Sequence, residues 1–237
     1  MNQFTDQVVI VTGAAGGLGR AVCEYFFSRG AKVAYIDYSL DLLQKTFPDC
    51  QDNPKKLYLA TDLTDRQDCW ESIQHVIKCW GRIDVLANIA GGFIMGEAVH
   101  ETTDKTWDFL FDLNARSILH TSAATVPVML QQGLGKIINV SAGAAQKGLA
   151  QMGAYIASKS AVLRLTESMA MELREKHINV NCILPAIIDT ERNRQDMPKE
   201  DHSRWVKPAK IAQIIGFLAS DAADAIHGAG IPVIGLN

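Results

Sequence analysis

Short apolar runs alternate with longer amphipathic segments along the 237-residue chain. The first run, residues 8–11, contains only valine and isoleucine, and segment 18–29 after it carries apolar residues at helical spacing before Gly30. Strands that are apolar along their whole length are typical of a parallel sheet covered by helices on both faces. The alternation therefore predicts an α/β fold: a three-layer, doubly wound, mostly parallel sheet of seven strands.

The positions of the individual elements follow from the same pattern. Strands are expected at residues 8–11, 32–37, 56–61, 83–88, 136–141, 178–183 and 231–234. Helices are expected at residues 18–29, 66–80, 104–132, 151–176 and 208–220. Because the chain has no internal repeat and no linker long enough to divide it, we expect one domain over residues 1–237.

Charge and composition argue against several functional classes. A net charge of -3 offers no broad attraction to nucleic acid or to an anionic membrane. The N-terminus is too polar for a signal peptide, and no apolar run is long enough for a transmembrane helix. We therefore expect a soluble, cytoplasmic protein that binds neither nucleic acid nor membrane.

The cysteines and histidines show no spacing typical of a metal site or a disulfide framework. Buried, reduced thiols are the favoured interpretation, and no metal is expected. The five cysteines are Cys23, Cys50, Cys69, Cys79 and Cys182.

A glycine-rich loop, residues 12–19 (Thr-Gly-Ala-Ala-Gly-Gly-Leu-Gly), joins the first strand to the first helix. Glycine permits a tight turn and lets main-chain N–H groups approach a pyrophosphate at the positive end of the helix. Such a loop also serves any sharp connection, but its place between a strand and a helix favours nucleotide binding.

Asp37 ends the second predicted strand, where a carboxylate accepts hydrogen bonds from the ribose hydroxyls of a dinucleotide. It would repel a 2′-phosphate, and neither Tyr38 nor Ser39 supplies a compensating cation. We therefore expect NAD(H), with NADP(H) as the less favoured cofactor. The alternative is that Asp37 serves only as a turn residue at the end of the strand.

Tyr155 and Lys159 are four residues apart in a predicted helix, so their side chains share one face. An ammonium beside a phenol favours the phenolate and lowers a pKa that is normally about 10. Tyr155 is thus a candidate proton donor and acceptor, and the Ser141 hydroxyl is a candidate group to hold a substrate oxygen.

In combination, these motifs resemble the short-chain dehydrogenase/reductase family of the single-domain type, which implies a Rossmann fold. The resemblance rests on the glycine-rich loop and on motifs in the same order along nearly the whole chain. These are Asp62-Leu63, residues 88–91 (Asn-Ile-Ala-Gly), Asn114, Ser141, Tyr155 with Lys159, and Pro185 with Thr190. Two positions depart from the family pattern, Ile89 and Ala186, and neither belongs to the proton-transfer residues.

The resemblance implies a role for each matched residue. Tyr155 would be the general acid/base, Lys159 would lower its pKa and hold the nicotinamide ribose, Ser141 would orient the substrate oxygen, and Asn114 would hold a water linked to Lys159. Tyr155 and Lys159 are also expected to contact the cofactor. The other expected cofactor-binding residues are Gly13, Gly17, Leu18, Gly19, Asp37, Asp62, Leu63, Asn88, Ala90, Gly91, Pro185, Ile188 and Thr190.

The expected activity is hydride transfer between NAD(H) and a secondary alcohol or ketone. Two alternatives remain: a 3-oxoacyl-thioester (acyl carrier protein) reductase using NADPH, and a non-catalytic nucleotide-binding regulator. Substrate specificity is expected in loops 92–103, 143–153 and 189–206, where Trp205 is a candidate pocket cover. The cations of the last loop would either attract an acidic substrate or form a solvated charge run. The resemblance also implies a homotetramer or homodimer.

Overall fold

A computed structural model describes residues 3–48 and 53–236, and seven parallel strands in it form one sheet in the order β3-β2-β1-β4-β5-β6-β7. The strands are β1 Val8–Thr12, β2 Lys32–Asp37, β3 Lys56–Ala60, β4 Val85–Asn88, β5 Gly135–Val140, β6 Ile178–Pro185 and β7 Gly230–Val233. The helices are α1 Gly17–Phe27, α2 Leu40–Thr46, α3 Arg66–Trp80, α4 Asp104–Phe111, α5 Ser117–Gln132, α6 Gly153–Leu173, α7 Glu191–Asp196 and α8 Pro208–Leu218.

The two faces of the sheet bury separate apolar clusters. Alternate residues of β1 point to opposite faces, so Val9 packs in one cluster with α1 and α8 while Ile10 packs in the other with α3, α5 and α6. The chain thus has a helix layer on each side of a parallel sheet. The predicted three-layer, doubly wound Rossmann fold is confirmed.

The strand order reverses beside β1, which is paired with β2 on one side and with β4 on the other. In an open parallel sheet, the loops that leave the carboxyl ends of such neighbouring strands diverge and leave a crevice that binds ligands. This arrangement places the glycine-rich loop after β1 next to the segment after β4.

The helix predicted over residues 104–132 is not continuous. It consists of α4, a π-helical turn at Asp112–Arg116, and α5. Within that turn the Asn114 side chain is buried and bonded to the main chain of Gly92. Single π-helical turns commonly re-aim side chains at functional sites.

Two short helices, α2 and α7, were not predicted. Both are short enough to lack a clear apolar periodicity, and side-chain oxygens cap their N-termini: Ser39 Oγ accepts from Leu42 N, and Thr190 Oγ1 accepts from Asn193 N. Helix α7 occupies part of the segment after β6 that was expected to be loop.

The sequence also led to expectations about cysteines, membrane-spanning helices and metal sites. Cys23, Cys69 and Cys182 are buried, as expected, whereas Cys79 is exposed because it lies on the outer face of α3, and Cys50 lies outside the described residues. Every helix in residues 3–48 and 53–236 is too short or too polar to span a bilayer. Over the same residues, no three histidine, cysteine, aspartate or glutamate side chains form a group that could hold a metal ion.

Candidate active site

The glycine-rich loop turns tightly against the segment that follows β4. Gly13 has a φ of +63°, and a Cβ atom there would lie 2.8 Å from Cα of Ala90. A Cβ atom on Gly19 would overlap the carbonyl oxygen of Gly13. These glycines are therefore required by close main-chain contacts, and the loop keeps its N–H groups beside the N-terminus of α1.

Thr12, the last residue of β1, holds the two loops together. Its Oγ1 accepts hydrogen bonds from the main-chain N–H groups of Ile89 (3.0 Å) and Ala90 (3.2 Å). Sequence reasoning placed Thr12 in the loop motif but gave it no such role. The sequence did carry a signal for this role, because Thr12 is a hydroxyl residue at the carboxyl end of β1, the strand beside which the strand order reverses.

A cleft of about 710 Å³ opens above the carboxyl ends of β1, β2 and β4. Eight of the predicted cofactor residues line it: Gly13, Leu18, Gly19, Asp37, Asp62, Leu63, Ala90 and Gly91. Lining residues that were not predicted include Tyr38, Leu42, Phe109, Asp112 and Leu113. Phe109 belongs to the end of α4, and Asp112 and Leu113 belong to the π-helical turn. These residues were not predicted because the helix over 104–132 was expected to be continuous.

Asp37 lies at the edge of this cleft and bonds to the loop. Its Oδ2 accepts from the N–H of Ala15 at 2.9 Å, and its Oδ1 accepts from the N–H of Tyr38 at 2.8 Å. The carboxylate thus acts as a turn residue and also presents negative charge to the cleft.

Asn88 does not line the cleft, although it was expected to bind cofactor. Its side chain is buried, donates to Asn139 Oδ1 at 2.8 Å and accepts from Thr121 Oγ1 at 2.9 Å. The Asn139 amide donates in turn to Thr166 Oγ1 at 2.9 Å. This polar network joins β4 and β5 to helices α5 and α6 below the cleft.

The segment after β6 approaches the same loop from the other side. A Cβ atom on Gly17 would lie 2.8 Å from Cγ2 of Thr190. Ile188 accepts from Asn193 Nδ2 at 2.8 Å through its carbonyl oxygen, and Pro185 is the last residue of β6. Thr190 therefore borders the glycine-rich loop, with the expected cofactor residues Ile188 two positions before it and Pro185 at the end of β6.

Lys159, Asn114 and Gly91 converge at one point. A Cβ atom on Gly91 would lie 2.9 Å from Lys159 Nζ and 2.9 Å from Asn114 Oδ1. Lys159 is buried, and its ammonium donates to the carbonyl oxygen of Val140 at 2.9 Å. Tyr155 lies one helical turn earlier in α6.

Burial sets the acidity of both α6 residues. It raises the pKa of Tyr155 to about 12 and lowers the pKa of Lys159 to about 8, the latter opposed by the field of Cys182. In this structure desolvation of the phenol outweighs the expected lowering of the Tyr155 pKa by Lys159, whose ammonium is directed to the Val140 carbonyl group.

Asn114 holds the segment after β4 by two bonds to a single residue. Its Oδ1 accepts from the N–H of Gly92 at 2.8 Å, and its Nδ2 donates to the Gly92 carbonyl oxygen at 3.1 Å. The same Nδ2 donates to Ser158 Oγ at 2.9 Å. The side chain thereby ties the π-helical turn to both the loop after β4 and helix α6.

The Ser141 hydroxyl is bonded to the main chain of α6. Ser141 is 2% exposed, and its Oγ donates to the main-chain carbonyl oxygen of Lys159 at 2.7 Å. In the part of the chain that the structure describes, no hydrogen bond joins Ser141 to Tyr155. The structure thus brings Lys159 and Asn114 together but holds the serine hydroxyl on the main chain of α6.

Two loops lie beside Tyr155. The Phe93 ring meets the Tyr155 ring edge-on, with centroids 4.8 Å apart, and Phe93 remains 53% exposed. Gly96 N donates to the carbonyl oxygen of Gln151 at 2.9 Å and joins loop 92–103 to loop 143–153. Loops 92–103 and 143–153 are thus joined to each other next to Tyr155.

The structure does not place Trp205 of segment 189–206 as a pocket cover. Trp205 is only 5% exposed and packs against His202, with ring centroids 4.4 Å apart, so it is part of the packed structure. Asp189 accepts from Arg194 through both carboxylate oxygens, which lowers the pKa of Asp189. This cation is therefore engaged within its own segment.

Comparison with known proteins places this geometry in a family. A family model described as short chain dehydrogenase matches residues 7–201. The chain is 33% identical over 242 aligned positions to an NAD-dependent glycerol dehydrogenase of Listeria innocua serovar 6a, covering 98% of this chain and 94% of that protein. It is 32% identical over 244 positions to a 3-oxoacyl-acyl-carrier-protein reductase of Thermotoga maritima, covering 99% and 98%.

Solved structures give the same result. The crystal structure of levodione reductase matches with a TM-score of 0.87 and 26% sequence identity, covering 98% of this chain and 97% of that one. The cleft fits the nicotinamide dinucleotide that such enzymes use, because Gly13, Gly16 and Gly19 line it without side chains at the N-terminus of α1. The protein is an oxidoreductase of the short-chain dehydrogenase/reductase family, whose members bind a nicotinamide cofactor.

Proposed function

We propose that the protein is an NAD(H)-dependent dehydrogenase that interconverts a secondary alcohol and a ketone, with Tyr155 as the general acid/base. The observation that carries this proposal is the convergence of Lys159, Asn114 and Gly91 one helical turn from Tyr155, at the end of the dinucleotide cleft. In the described chain, the Tyr155 hydroxyl makes no hydrogen bond, which leaves it available to a substrate.

The proposed chemistry follows from the α6 residues. Bound nicotinamide supplies or accepts the hydride. In the reductive direction the Tyr155 hydroxyl donates its proton to the substrate oxygen, and a pKa of about 12 keeps it protonated at neutral pH. The Lys159 ammonium stabilises the phenolate that is left, because opposite charges in a buried site interact strongly. Oxidation runs the same proton transfer in reverse.

The preference for NAD(H) is supported by the charge of the cleft. Asp37, Asp62 and Asp112 line it, and no lining residue in the described chain is lysine or arginine. A 2′-phosphate bound beside Asp37 would meet negative charge without a compensating cation. The name of the glycerol dehydrogenase relative supports the same cofactor.

An uncharged substrate is supported by the neighbourhood of Tyr155. Phe93 supplies an exposed aromatic wall, and Arg194 is engaged with Asp189 in the segment after β6. The second candidate, a 3-oxoacyl-thioester reductase using NADPH, is supported by one relative's name and opposed by the acidic cleft.

We propose that the single sheet and its helices form one domain over the whole chain, and that this domain assembles into a homodimer or homotetramer. Helices α4 and α5 carry exposed apolar side chains, including Trp107, Leu119 and Leu130, which fit a helix-pairing interface. The cytoplasmic location expected from the sequence stays part of the proposal.

A substrate and cofactor screen tests the proposed function. Purified protein is incubated with secondary alcohols, polyols and ketones, each with both NAD(H) and NADP(H), and absorbance at the reduced-nicotinamide band is followed. Turnover of an alcohol–ketone pair with NAD(H) is expected. Turnover confined to 3-oxoacyl thioesters with NADPH would favour the second candidate, and NADH binding without any turnover would favour the non-catalytic regulator.

A further inference from the structure

Ser141 and Val140 are consecutive residues at the end of β5, and both bind Lys159. Val140 accepts from Lys159 Nζ at 2.9 Å, and Ser141 Oγ donates to the Lys159 carbonyl oxygen at 2.7 Å. The end of one strand therefore holds the lysine at its ammonium and at its main chain.

The Ser141 hydroxyl has no second proton to offer. A hydroxyl group is a single donor, and the Lys159 carbonyl group takes that donor in a buried environment. The Ser141 N–H is also engaged, because it donates to the Ile183 carbonyl oxygen at 3.0 Å. A ketone oxygen can only accept a hydrogen bond, so Ser141 in this arrangement cannot polarise it.

The other aliphatic hydroxyls near Tyr155 are engaged in the same way. Residues 141–160 contain three serines and no threonine. Besides Ser141, Ser158 and Ser160 donate to main-chain carbonyl oxygens at 2.8 and 3.0 Å. Tyr155 thus carries the one side-chain hydroxyl of this described segment that makes no hydrogen bond.

We propose that Ser141 is a positioning residue that fixes the main chain of Lys159, and that Tyr155 orients the substrate oxygen without help from the Ser141 hydroxyl. This inference rests on the proposed function, since it concerns the substrate of that site. It differs from the role expected for Ser141 by resemblance, in which the hydroxyl contacts the substrate.

Loss of the Ser141 bond is expected to change the pH at which Lys159 titrates. Burial lowers the Lys159 pKa, and Cys182 on β6 is the titratable group whose field acts on it; burial raises the Cys182 pKa to about 11. Tyr155 lies one turn away on the same helix. Without the Ser141 hydroxyl, the bond from the Lys159 ammonium to Val140 remains but the bond to the Lys159 main chain is lost. We therefore expect the ammonium to shift from its buried position.

The test compares Ser141→Ala with Ser160→Ala. Ser160 on α6 is a matched control, since its hydroxyl also donates to a main-chain carbonyl oxygen, that of Ala145, but does not bind Lys159. Each variant loses one such hydrogen bond, so the thermal midpoint of each is expected to fall by roughly 2–4 °C. The measurements are kcat, KM, their pH profiles, and unfolding as a function of pH.

Ser141→Ala is expected to retain kcat within about tenfold of wild type, while the pH at which Lys159 titrates shifts by about half a unit or more. The shift is read from the pH profile of kcat/KM and, independently of turnover, from the pH dependence of unfolding. Ser160→Ala is expected to show neither change. Ser141→Thr, which keeps the hydroxyl, is expected to restore the wild-type profile.

Two results would overturn the proposal. One is a loss of kcat of about a hundredfold or more in Ser141→Ala with an unmoved pH profile, as removal of a donor to the reacting oxygen produces. The other is a pH dependence of unfolding in Ser141→Ala that shows Lys159 titrating at the same pH as in wild type. That result would give Ser141 a structural role only. Failure of the proposed function has a different signature, because wild type would then turn over no alcohol or ketone while the pH-dependent unfolding would still report the hold on Lys159.

Discussion

A Cβ atom on Gly17 would lie 2.8 Å from Cγ2 of Thr190, so the glycine-rich loop after β1 and the segment after β6 are in direct contact. The Thr190 methyl group occupies the space that any larger residue at position 17 would need. This contact joins the glycine-rich loop to the segment after β6, and it can be tested by changing either partner.

Gly17→Ala is expected to lower the free energy of unfolding by about 1–3 kcal/mol, because the added methyl group meets a packed neighbour. Thr190→Ser in the Gly17→Ala background removes Cγ2 but keeps the hydroxyl that caps α7, so it should recover most of that loss. Gly148→Ala is the control, because nothing lies within 4 Å of a Cβ atom there. Urea unfolding measures all four proteins; a Gly17→Ala protein as stable as wild type would show that the contact is not tight.

Asp37→Asn is expected to raise the affinity for NADP(H) relative to NAD(H) by about tenfold, or roughly 1.4 kcal/mol. The substitution removes the negative charge but leaves an oxygen to accept from Ala15 N, so the loop should remain in place. Fluorescence titration of both reduced cofactors gives the ratio of dissociation constants. An unchanged ratio would show that Asp37 is only a turn residue.

Asn88→Ala is expected to affect stability more than cofactor binding. It removes two buried hydrogen bonds and leaves Asn139 Oδ1 without its donor, so the free energy of unfolding should fall by about 3 kcal/mol. Asp62 lines the cleft, so Asp62→Ala should weaken NADH binding more than it lowers the free energy of unfolding. Unfolding and NADH titration of both variants check this; a loss of NADH affinity confined to Asn88→Ala would restore its predicted cofactor role.

The lowered pKa of Lys159 makes stability depend on pH. The unfolded lysine holds its proton up to about pH 10.5, whereas the folded one releases it near 8, so the unfolded state binds more protons between these values. The cost of burying the ammonium is fully present below pH 8 and is relieved as the pH rises to 10.5.

Lys159→Met removes this dependence. The difference in unfolding free energy between Lys159→Met and wild type should favour the variant at pH 7 and diminish by an amount on the order of 3 kcal/mol by pH 10.5. Denaturant unfolding at intervals of half a pH unit measures it. A difference that stays constant from pH 7 to pH 10.5 would mean that Lys159 titrates normally in the folded protein.

Helix ends and turns that depend on residues close by in the sequence were predicted correctly. Helix α3 has the predicted bounds, because Asp65 caps its N-terminus and Gly81 ends it in a left-handed conformation. The glycine-rich loop was likewise predictable, since its close main-chain contacts admit only glycine at Gly13 and Gly19.

Features determined by distant contacts were not predictable. The π-helical turn depends on the bonds of Asn114 to Gly92, and the direction of the Ser141 hydroxyl depends on a carbonyl group 18 residues away. The raised pKa of Tyr155 depends on burial, to which the packing of Phe93 contributes. Spacing along a chain indicates which side chains share a helix face, but it does not indicate which of their atoms are already bonded.

The most direct test of the account is the turnover of Tyr155→Phe. Its kcat for the alcohol–ketone pair found by the screen should fall by about 10²–10⁴, because the proton donor is removed, while NADH affinity and thermal stability stay near wild type. Tyr25→Phe, which removes a phenol hydroxyl from α1 outside the cleft lining, should retain wild-type kcat. A Tyr155→Phe enzyme with undiminished kcat would contradict the assignment of Tyr155 as the general acid/base.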